Sequence, residues 1–398
     1  MDFYPRYSIK LDNISSGLGG CDFQNQPHIG WMYIQLLMNI TVESLKRYID
    51  EVFGGRCSLL RVTTLEGAAL EEGEIKGYGY GQPLLLEVKC GDLIRRYVLN
   101  TMREDHFGHE YMSDRAGILI WNHLTYNKLP KHVKSVGLGY IDSGGWIHSI
   151  NDPIEFIQLV EYVEGKEYYH DLIRIAETQE LTELDKDRVY ALADYLADIH
   201  SVKMNDPFLY RRRIRELIGH GEALMGLVDS YKGDEDFLLE NELMEIELNA
   251  VRWRWRIRDY SHRLSQVHGD FHPWNIKFRE GTDFTVLDRS RGEWGEPADD
   301  VAALTINYIF FSLMYYEDFR DPFKKLWTLF FDHYLSKTGD EEILRVIQPF
   351  YAWRGLVIAN PIWYPNLKYN VRRTIFNFIH NVLEKDYFNY KDVVGLLK

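Results

Sequence analysis

A chain of 398 residues exceeds the usual size of one domain, and 45% hydrophobic with 14% aromatic residues supplies a full core, which excludes a disordered chain. The 60 acidic against 46 basic residues leave a net charge of −14, which disfavours nucleic acid as the main partner and reads first as a well-solvated surface. Cys21, Cys57 and Cys90 are odd in number and lack C-x-x-C spacing, which argues against a disulfide framework or a zinc site and for a reducing, cytoplasmic setting.

Residues 1–12 mix charge with aromatics, unlike a signal peptide, and the apolar run 29–40 is too short and interrupted to span a bilayer, so no membrane partner is expected. Thr41 is placed to cap a helix in which Val42, Leu45, Tyr48, Ile49 and Val52 recur at helical spacing up to Gly54. From 56 to 102 the signal is β. Segments 58–65, 83–88 and 94–102 read as strands, with Cys90-Gly91-Asp92 as a turn. The loop between the first two strands ends in Gly77-Tyr78-Gly79-Tyr80-Gly81. These glycines could let backbone N–H groups approach a phosphate, and a bend with exposed aromatics explains the same residues. Residues 106–124 read as a helix, 137–149 as a glycine-rich β region, and 154–163 as an apolar strand running into Gly165.

After that glycine strands mostly disappear. The chain therefore reads as an α+β protein in three parts: an extension with a leading helix (1–55), a β-rich lobe (56–164) and a helical lobe (165–398). Thr182 caps a helix with Val189, Leu192, Leu196 and Ile199 on one face. Segments 208–230 and 234–263 read as helices, the second acidic at its start and basic at its end, as the helix dipole favours. The Trp253-Arg254-Trp255-Arg256 and Arg211-Arg212-Arg213 runs are read as solvated helix faces rather than nucleic-acid patches. Segments 298–337 and 340–385 read as helices broken at Asp321-Pro322 and Asn360-Pro361, with Tyr308, Phe310, Phe311, Trp327, Phe330 and Phe331 as core.

The chemistry concentrates in Val267-His268-Gly269-Asp270-Phe271-His272-Pro273-Trp274-Asn275-Ile276 and the following Val286-Leu287-Asp288. Phosphoryl transfer needs a group to accept a hydroxyl proton, a divalent metal and rigid positioning. Asp270 suits the first role. Asn275 and Asp288 offer the hard oxygens that Mg²⁺ prefers. Residues 275–278 and 283–287 alternate like paired strands about Glu280-Gly281, and a hairpin there would return Asp288 close to Asn275. Two rivals explain parts of the pattern. Asp, Asn and His in loops are often turn or cap residues, and His268, Asp270 and His272 are spaced like ligands of a metallohydrolase.

The loop His268-Gly269-Asp270-Phe271-His272-Pro273-Trp274-Asn275 resembles the H-G-D-x-H-P-x-N loop of the aminoglycoside phosphotransferase and choline kinase-like family. Val286-Leu287-Asp288 resembles that family's metal-binding segment, and Gly295-Glu296-Pro297-Ala298-Asp299-Asp300-Val301-Ala302 its G-D-P-x-x-D-L-A stretch. The resemblance implies a protein kinase-like, two-lobed fold with ATP or GTP held between a small β-rich lobe and a large helical one. It implies Asp270 as base and Mg²⁺ on Asn275 and Asp288, with His268 and Asp300 supporting the loop. The glycines Gly77, Gly79 and Gly81 and the hinge backbone at Glu161 and Val163 would meet the nucleotide. A small-molecule alcohol, such as an amino sugar or amino alcohol, would sit between the loop and helices 200–263.

Two departures from the family stand out. Where it carries a strand lysine after Y-x-L, this chain has Asn100, with Arg96 on the same face as a substitute and Glu110 as the expected helix glutamate. Where it carries an aromatic and an acid after the metal aspartate, this chain has Arg289-Ser290-Arg291, suited to a further phosphate or an anionic substrate, or to pairing with Glu293, Glu296 or Asp299. A nucleotide-binding scaffold without transfer activity is the alternative that Asn100 suggests. A protein kinase proper fits less well, since the loop reads H-G-D and no A-P-E follows.

Overall fold

The computed structural model describes residues 40–64, 83–150, 153–289 and 291–398, so Gly77, Gly79 and Gly81 lie outside the described residues. The chain divides into two compact units between Gln158 and Leu159.

The first unit opens with α1 (Val42–Phe53). Thr41 caps it by accepting from the Ser44 N–H at 3.1 Å, and Gly54 ends it in the left-handed conformation. The antiparallel sheet β1 (Cys57–Thr64), β2 (Leu84–Cys90) and β3 (Leu93–Leu99) follows in that spatial order. Leu45, Tyr48 and Ile49 of α1 bury their apolar stripe against Val62, Leu84, Leu86 and Val88. The helix expected from residue 106 begins later, as α2 (Met112–Tyr126), with Asp114 capping the Tyr111 N–H. The glycine-rich region is the hairpin β4 (Gly139–Ile141) and β5 (Ile147–Ser149). Its glycine has a packing cause: a Cβ on Gly139 would stand 2.7 Å from the His148 carbonyl oxygen and 3.0 Å from the Tyr48 ring.

Two expectations fail in this part of the chain. Cys57 and Cys90 form a disulfide, contrary to the reading from cysteine spacing. They lie 33 residues apart but directly opposite on β1 and β2, a proximity that only strand register creates. The apolar run 154–163 forms no strand, and Ile154, Ile157 and Leu159 stand exposed. Its apolar composition is not matched by a ladder partner among the described residues.

The second unit is mostly helical: β6 (Lys166–Glu167), α3 (Tyr169–Thr178), α4 (Glu183–Ser201), α5 (Pro207–Gly219), α6 (Leu224–Val228) and α7 (Glu242–Ile257) precede the loop. The strand stubs β7 (Ser265–Gln266), β8 (Ile276–Phe278), β9 (Phe284–Val286) and β10 (Trp294–Gly295) bracket it. Then come α8 (Pro297–Tyr316), α9 (Phe323–Thr338), α10 (Gln348–Ala359), α11 (Tyr369–Leu383) and α12 (Val393–Leu396). Helix α8 is buried on all sides from Pro297 to Leu313 except at Asp299, and α3, α9 and α10 pack around it. The helix read as 208–230 breaks at 220–223, and that read as 234–263 shortens to α7. The reading of those runs as solvated faces holds for Arg211 and Arg256, which pair with Asp259 and Asp386 at the surface, but fails for Trp253, which is buried, and for Arg212 and Arg213, whose side chains are largely covered where they pair with Glu216. Among the described residues no helix is long and apolar enough to cross a membrane.

Candidate active site

Strands β7 and β8 hold the two ends of the loop 267–275. Gln266 pairs with Trp294 on β10, and Ile276 with Val286 on β9. Asp300, in the first turn of α8, fixes what lies between. Its Oδ2 accepts from the His268 N–H and its Oδ1 from the Gly269 N–H, each at 2.7 Å. His200 on α4 stands 3.2 Å from the same Oδ2, with its other ring nitrogen 2.8 Å from the Tyr334 hydroxyl. Gly269 turns the chain at φ 87°, a conformation a side chain resists, and a Cβ there would also press on Arg291 at 3.2 Å.

His268 is buried, and its Nδ1 accepts from the Asp270 N–H at 3.3 Å. Burial pushes its imidazole down, while the charges of Asp300 and Asp270 pull it up. His272 caps the short 3₁₀ turn Pro273–Asn275: its Nδ1 accepts from the Trp274 N–H at 3.2 Å. Both Nδ1 atoms therefore serve the backbone. No group of three or more His, Cys, Asp or Glu suited to a metal occurs among the described residues. Nothing in this geometry favours the metallohydrolase reading.

The expected hairpin forms. The Leu287 N–H donates to the Asn275 carbonyl at 2.8 Å, one step beyond the Ile276–Val286 pair, so Asp288 emerges beside Asn275. Asn275 Nδ2 donates to the Asp270 carbonyl at 3.1 Å, which directs its amide oxygen away from the loop. Asp288 is exposed and held at φ 56°, a strain of about 1–3 kcal/mol for a residue with a side chain. One amide oxygen and one exposed carboxylate suit a hard divalent cation.

Asp270 is nearly buried and tightly held. Its Oδ1 accepts from Arg354 Nη1 at 2.6 Å and stands 2.8 Å from Arg291 Nη1, while its Oδ2 lies 3.5 Å from His272 Nε2. Burial pushes the carboxyl up, but Arg354, His272 and Arg291 outweigh it and hold it well below the usual carboxylate range. Arg354, on α10, also donates to Asp299 at 2.6 Å and to the Gly269 carbonyl at 3.2 Å. Burial pushes Asp299 up to about 6 against the pull of Arg354, with Asp300 adding to the rise.

Sequence reasoning missed Arg354. The available signal was one arginine in the apolar run Tyr351-Ala352-Trp353-Arg354-Gly355-Leu356. Of the two arginines after Asp288, only Arg291 faces Asp270. Arg289 donates to the carbonyls of Val267 and Glu293. Neither pairs with the carboxylates of Glu293, Glu296 or Asp299, which face Trp294, Arg263 and Arg354.

The expected nucleotide contacts fare unevenly. Arg96 lies on the exposed face of β3 and bonds its cross-strand partner Glu87 at 3.2 Å. Asn100 follows β3 on the same exposed face. Glu110 precedes α2 instead of standing on it, and its carbonyl accepts from Arg115. Glu161 is exposed, and the Val163 carbonyl accepts from Lys277 Nζ at 3.3 Å.

Residues 138–327 match the model of the phosphotransferase enzyme family. No curated protein matches the chain. Among solved structures, an amicoumacin kinase in complex with AMP-PNP and Ca²⁺ is similar at 14% identity and TM-score 0.38, over 92% of this chain and 96% of that one. An ethanolamine kinase of Plasmodium vivax is similar at 14% identity and TM-score 0.31, over 95% and 94%. A choline kinase of Streptococcus pneumoniae is similar at 15% identity and TM-score 0.29, over 89% of this chain and 98% of that one. The matched stretch, residues 138–327, carries Asp270, Asn275, Asp288 and Asp300, so the part of the chain that is similar to the phosphotransferase enzyme family is the part that holds the candidate site.

Proposed function

We propose that this protein is a small-molecule kinase of protein kinase-like, two-lobed fold that transfers the γ-phosphate of ATP or GTP to a hydroxyl group. The observation that carries this reading is the pairing of the Asp270 loop with the Asn275–Asp288 hairpin, closed by the Leu287 N–H on the Asn275 carbonyl. Asp270 Oδ2, the oxygen not taken by arginine, orients the acceptor hydroxyl and receives its proton. The hydroxyl oxygen forms a bond to the γ-phosphorus, the bond from that phosphorus to the bridging oxygen breaks, and the nucleoside diphosphate leaves with both electrons. The proton then passes from Asp270 to solvent. Asn275 and Asp288 would hold Mg²⁺, which supplies charge neutralisation on the phosphates. His268 and Asp300 keep the loop in register, and the acceptor sits toward the loop from the segment 200–263.

Purified protein with Mg²⁺ and ATP or GTP, assayed across a panel of alcohols, should release nucleoside diphosphate with an acceptor-dependent rate. Asp270→Asn should lower kcat by about 10²–10⁴-fold, the usual worth of a positioned base. An unchanged kcat in that variant would sink the role assigned to Asp270. A nucleotide-binding scaffold without transfer is the second reading, favoured by Asn100 at the end of β3 and by the arginine pair on Asp270. Saturable nucleotide binding with no transfer to any alcohol would favour it.

A further inference from the structure

Arg354 and Arg291 share one carboxylate oxygen of Asp270, but they are not equivalent. Arg354 is buried, and Asp299 gives it a second carboxylate. Arg291 keeps about a quarter of its side-chain surface open, at 24% exposure. Its Nη2 lies 3.7 Å from the largely exposed Glu222, beyond hydrogen-bond distance. Both guanidiniums lie against the buried Trp353 ring, Arg354 at 3.9 Å and Arg291 at 4.8 Å from its centroid. Trp353 is fixed in turn, since its Nε1 donates to the Glu222 carbonyl at 3.1 Å. Arg291 is thus a partly open cation on a rigid aromatic platform, 2.8 Å from the proposed base.

From this arrangement we infer that the acceptor alcohol carries an anionic group, a carboxylate or a phosphate, near the hydroxyl to be phosphorylated, and that Arg291 binds it. The inference rests on the kinase reading above. A cationic acceptor would bring its ammonium against two guanidiniums, a like-charge contact that disfavours binding. An anionic acceptor meets the opposite situation. The open edge of Arg291 gains a partner of opposite charge beside the reacting hydroxyl. Arg291 offers the planar fork that carboxylate and phosphate accept in pairs. Arg354 stays on Asp299 throughout and positions Asp270. Arg291 is therefore the residue that sets acceptor charge.

The test uses matched sets of a polyol and its amine, carboxylate and phosphate forms, with the full-length protein. Phosphoryl transfer and ligand-induced thermal shift are both read, for wild type, Arg291→Ala and Arg291→Lys. The expected result is a kcat/KM about 100-fold higher for the carboxylate or phosphate form than for the neutral polyol, the usual worth of a charge-assisted pair. Arg291→Ala should abolish that preference through the acceptor KM, leave the nucleotide KM unchanged, and Arg291→Lys should restore part of it. The member of the set that is preferred names the anion, carboxylate or phosphate. Equal or better use of the neutral or amine form would overturn the inference while the kinase reading stands. So would an Arg291→Ala variant that loses kcat equally on every acceptor or raises the nucleotide KM, since Arg291 would then serve the transferred phosphate. No transfer, but thermal shifts by the anionic members that vanish in Arg291→Ala, would overturn the kinase reading and keep the anion site. Neither transfer nor an Arg291-dependent shift overturns both.

Discussion

Arg354 Nη1 donates to Asp270 Oδ1 at 2.6 Å, so the carboxylate at the centre of the loop is tied to a helix 84 residues further along the chain. That bond decides the electrostatics of the site. It uses one oxygen of Asp270, leaves the other toward His272, and links the loop to Asp299 through the same guanidinium.

Removing that guanidinium should move both activity and stability. Arg354→Met takes away a main charge that holds the Asp270 carboxyl low, so its pKa should rise and the acid limb of the kcat/KM profile should shift to higher pH. Asp299, already raised to about 6, loses the partner that opposes its burial and should rise further. A carboxyl raised in the folded state costs nothing below its unfolded value and weakens folding as pH climbs through the folded one. Asp270 is the opposite case: its lowered carboxyl is still ionised at pH 4, so the stability it draws from Arg354 is already lost there in the variant, and the deficit in denaturant unfolding should widen to about 3–5 kcal/mol by pH 8 as Asp299 ionises. A constant difference across that range would contradict the linkage.

Metal dependence should follow the hairpin. Asp288→Asn replaces the charged donor by a neutral one while keeping the shape of the turn. The Mg²⁺ concentration giving half-maximal activity should rise about 10-fold or more, with little change in thermal stability because Asp288 is exposed. A magnesium titration of steady-state rates reads this. An unaltered midpoint would remove Asp288 from the metal site.

Glu242 marks a stability switch remote from the chemistry. It is buried at the start of α7 and paired with Arg373 and His380. Burial pushes its carboxyl up, but Arg373, His380 and the Leu239 N–H win and lower it from 4.5 to about 2. A lowered folded pKa gives stability that is present above the unfolded value and lost as pH falls through the folded one. Wild type should exceed Glu242→Gln by about 3 kcal/mol at pH 7 in urea unfolding, and the two curves should converge between pH 4.5 and about 2.

The Cys57–Cys90 bond gives a direct count. Under denaturing, non-reducing conditions a thiol reagent should find one thiol per chain, and three after reduction. Closing a loop of 33 residues in sequence should stabilise the first unit by about 4 kcal/mol on the chain-entropy account. Three thiols without reduction would show that the pair is not joined.

Local pattern was enough for much of this molecule. Thr41 and Thr182 announced their helices because a cap is a contact within four residues, and both side chains bond as caps do. The Asn275–Asp288 hairpin was legible because its partners are neighbours in the chain. The α+β order of strands then helices followed from the change of composition after Gly165. What failed was of another kind. The run 154–163 has strand composition, but a strand also needs a partner, and composition cannot supply one. Cys57 met Cys90 because β1 and β2 pair in register, not because of any spacing between them.

The H-G-D-x-H-P-x-N stretch and the aspartates at 288 and 300 stand out in the sequence alone, since each role proposed for them needs a particular side chain at a particular spacing. Only the tertiary structure decided that Arg354 and Arg291, rather than Arg289, close on Asp270. The physical reason is distance along the chain. A charge on α10 reaches the loop only after α8 is buried beneath both, and no short-range rule records which arginine of a pair will point inward.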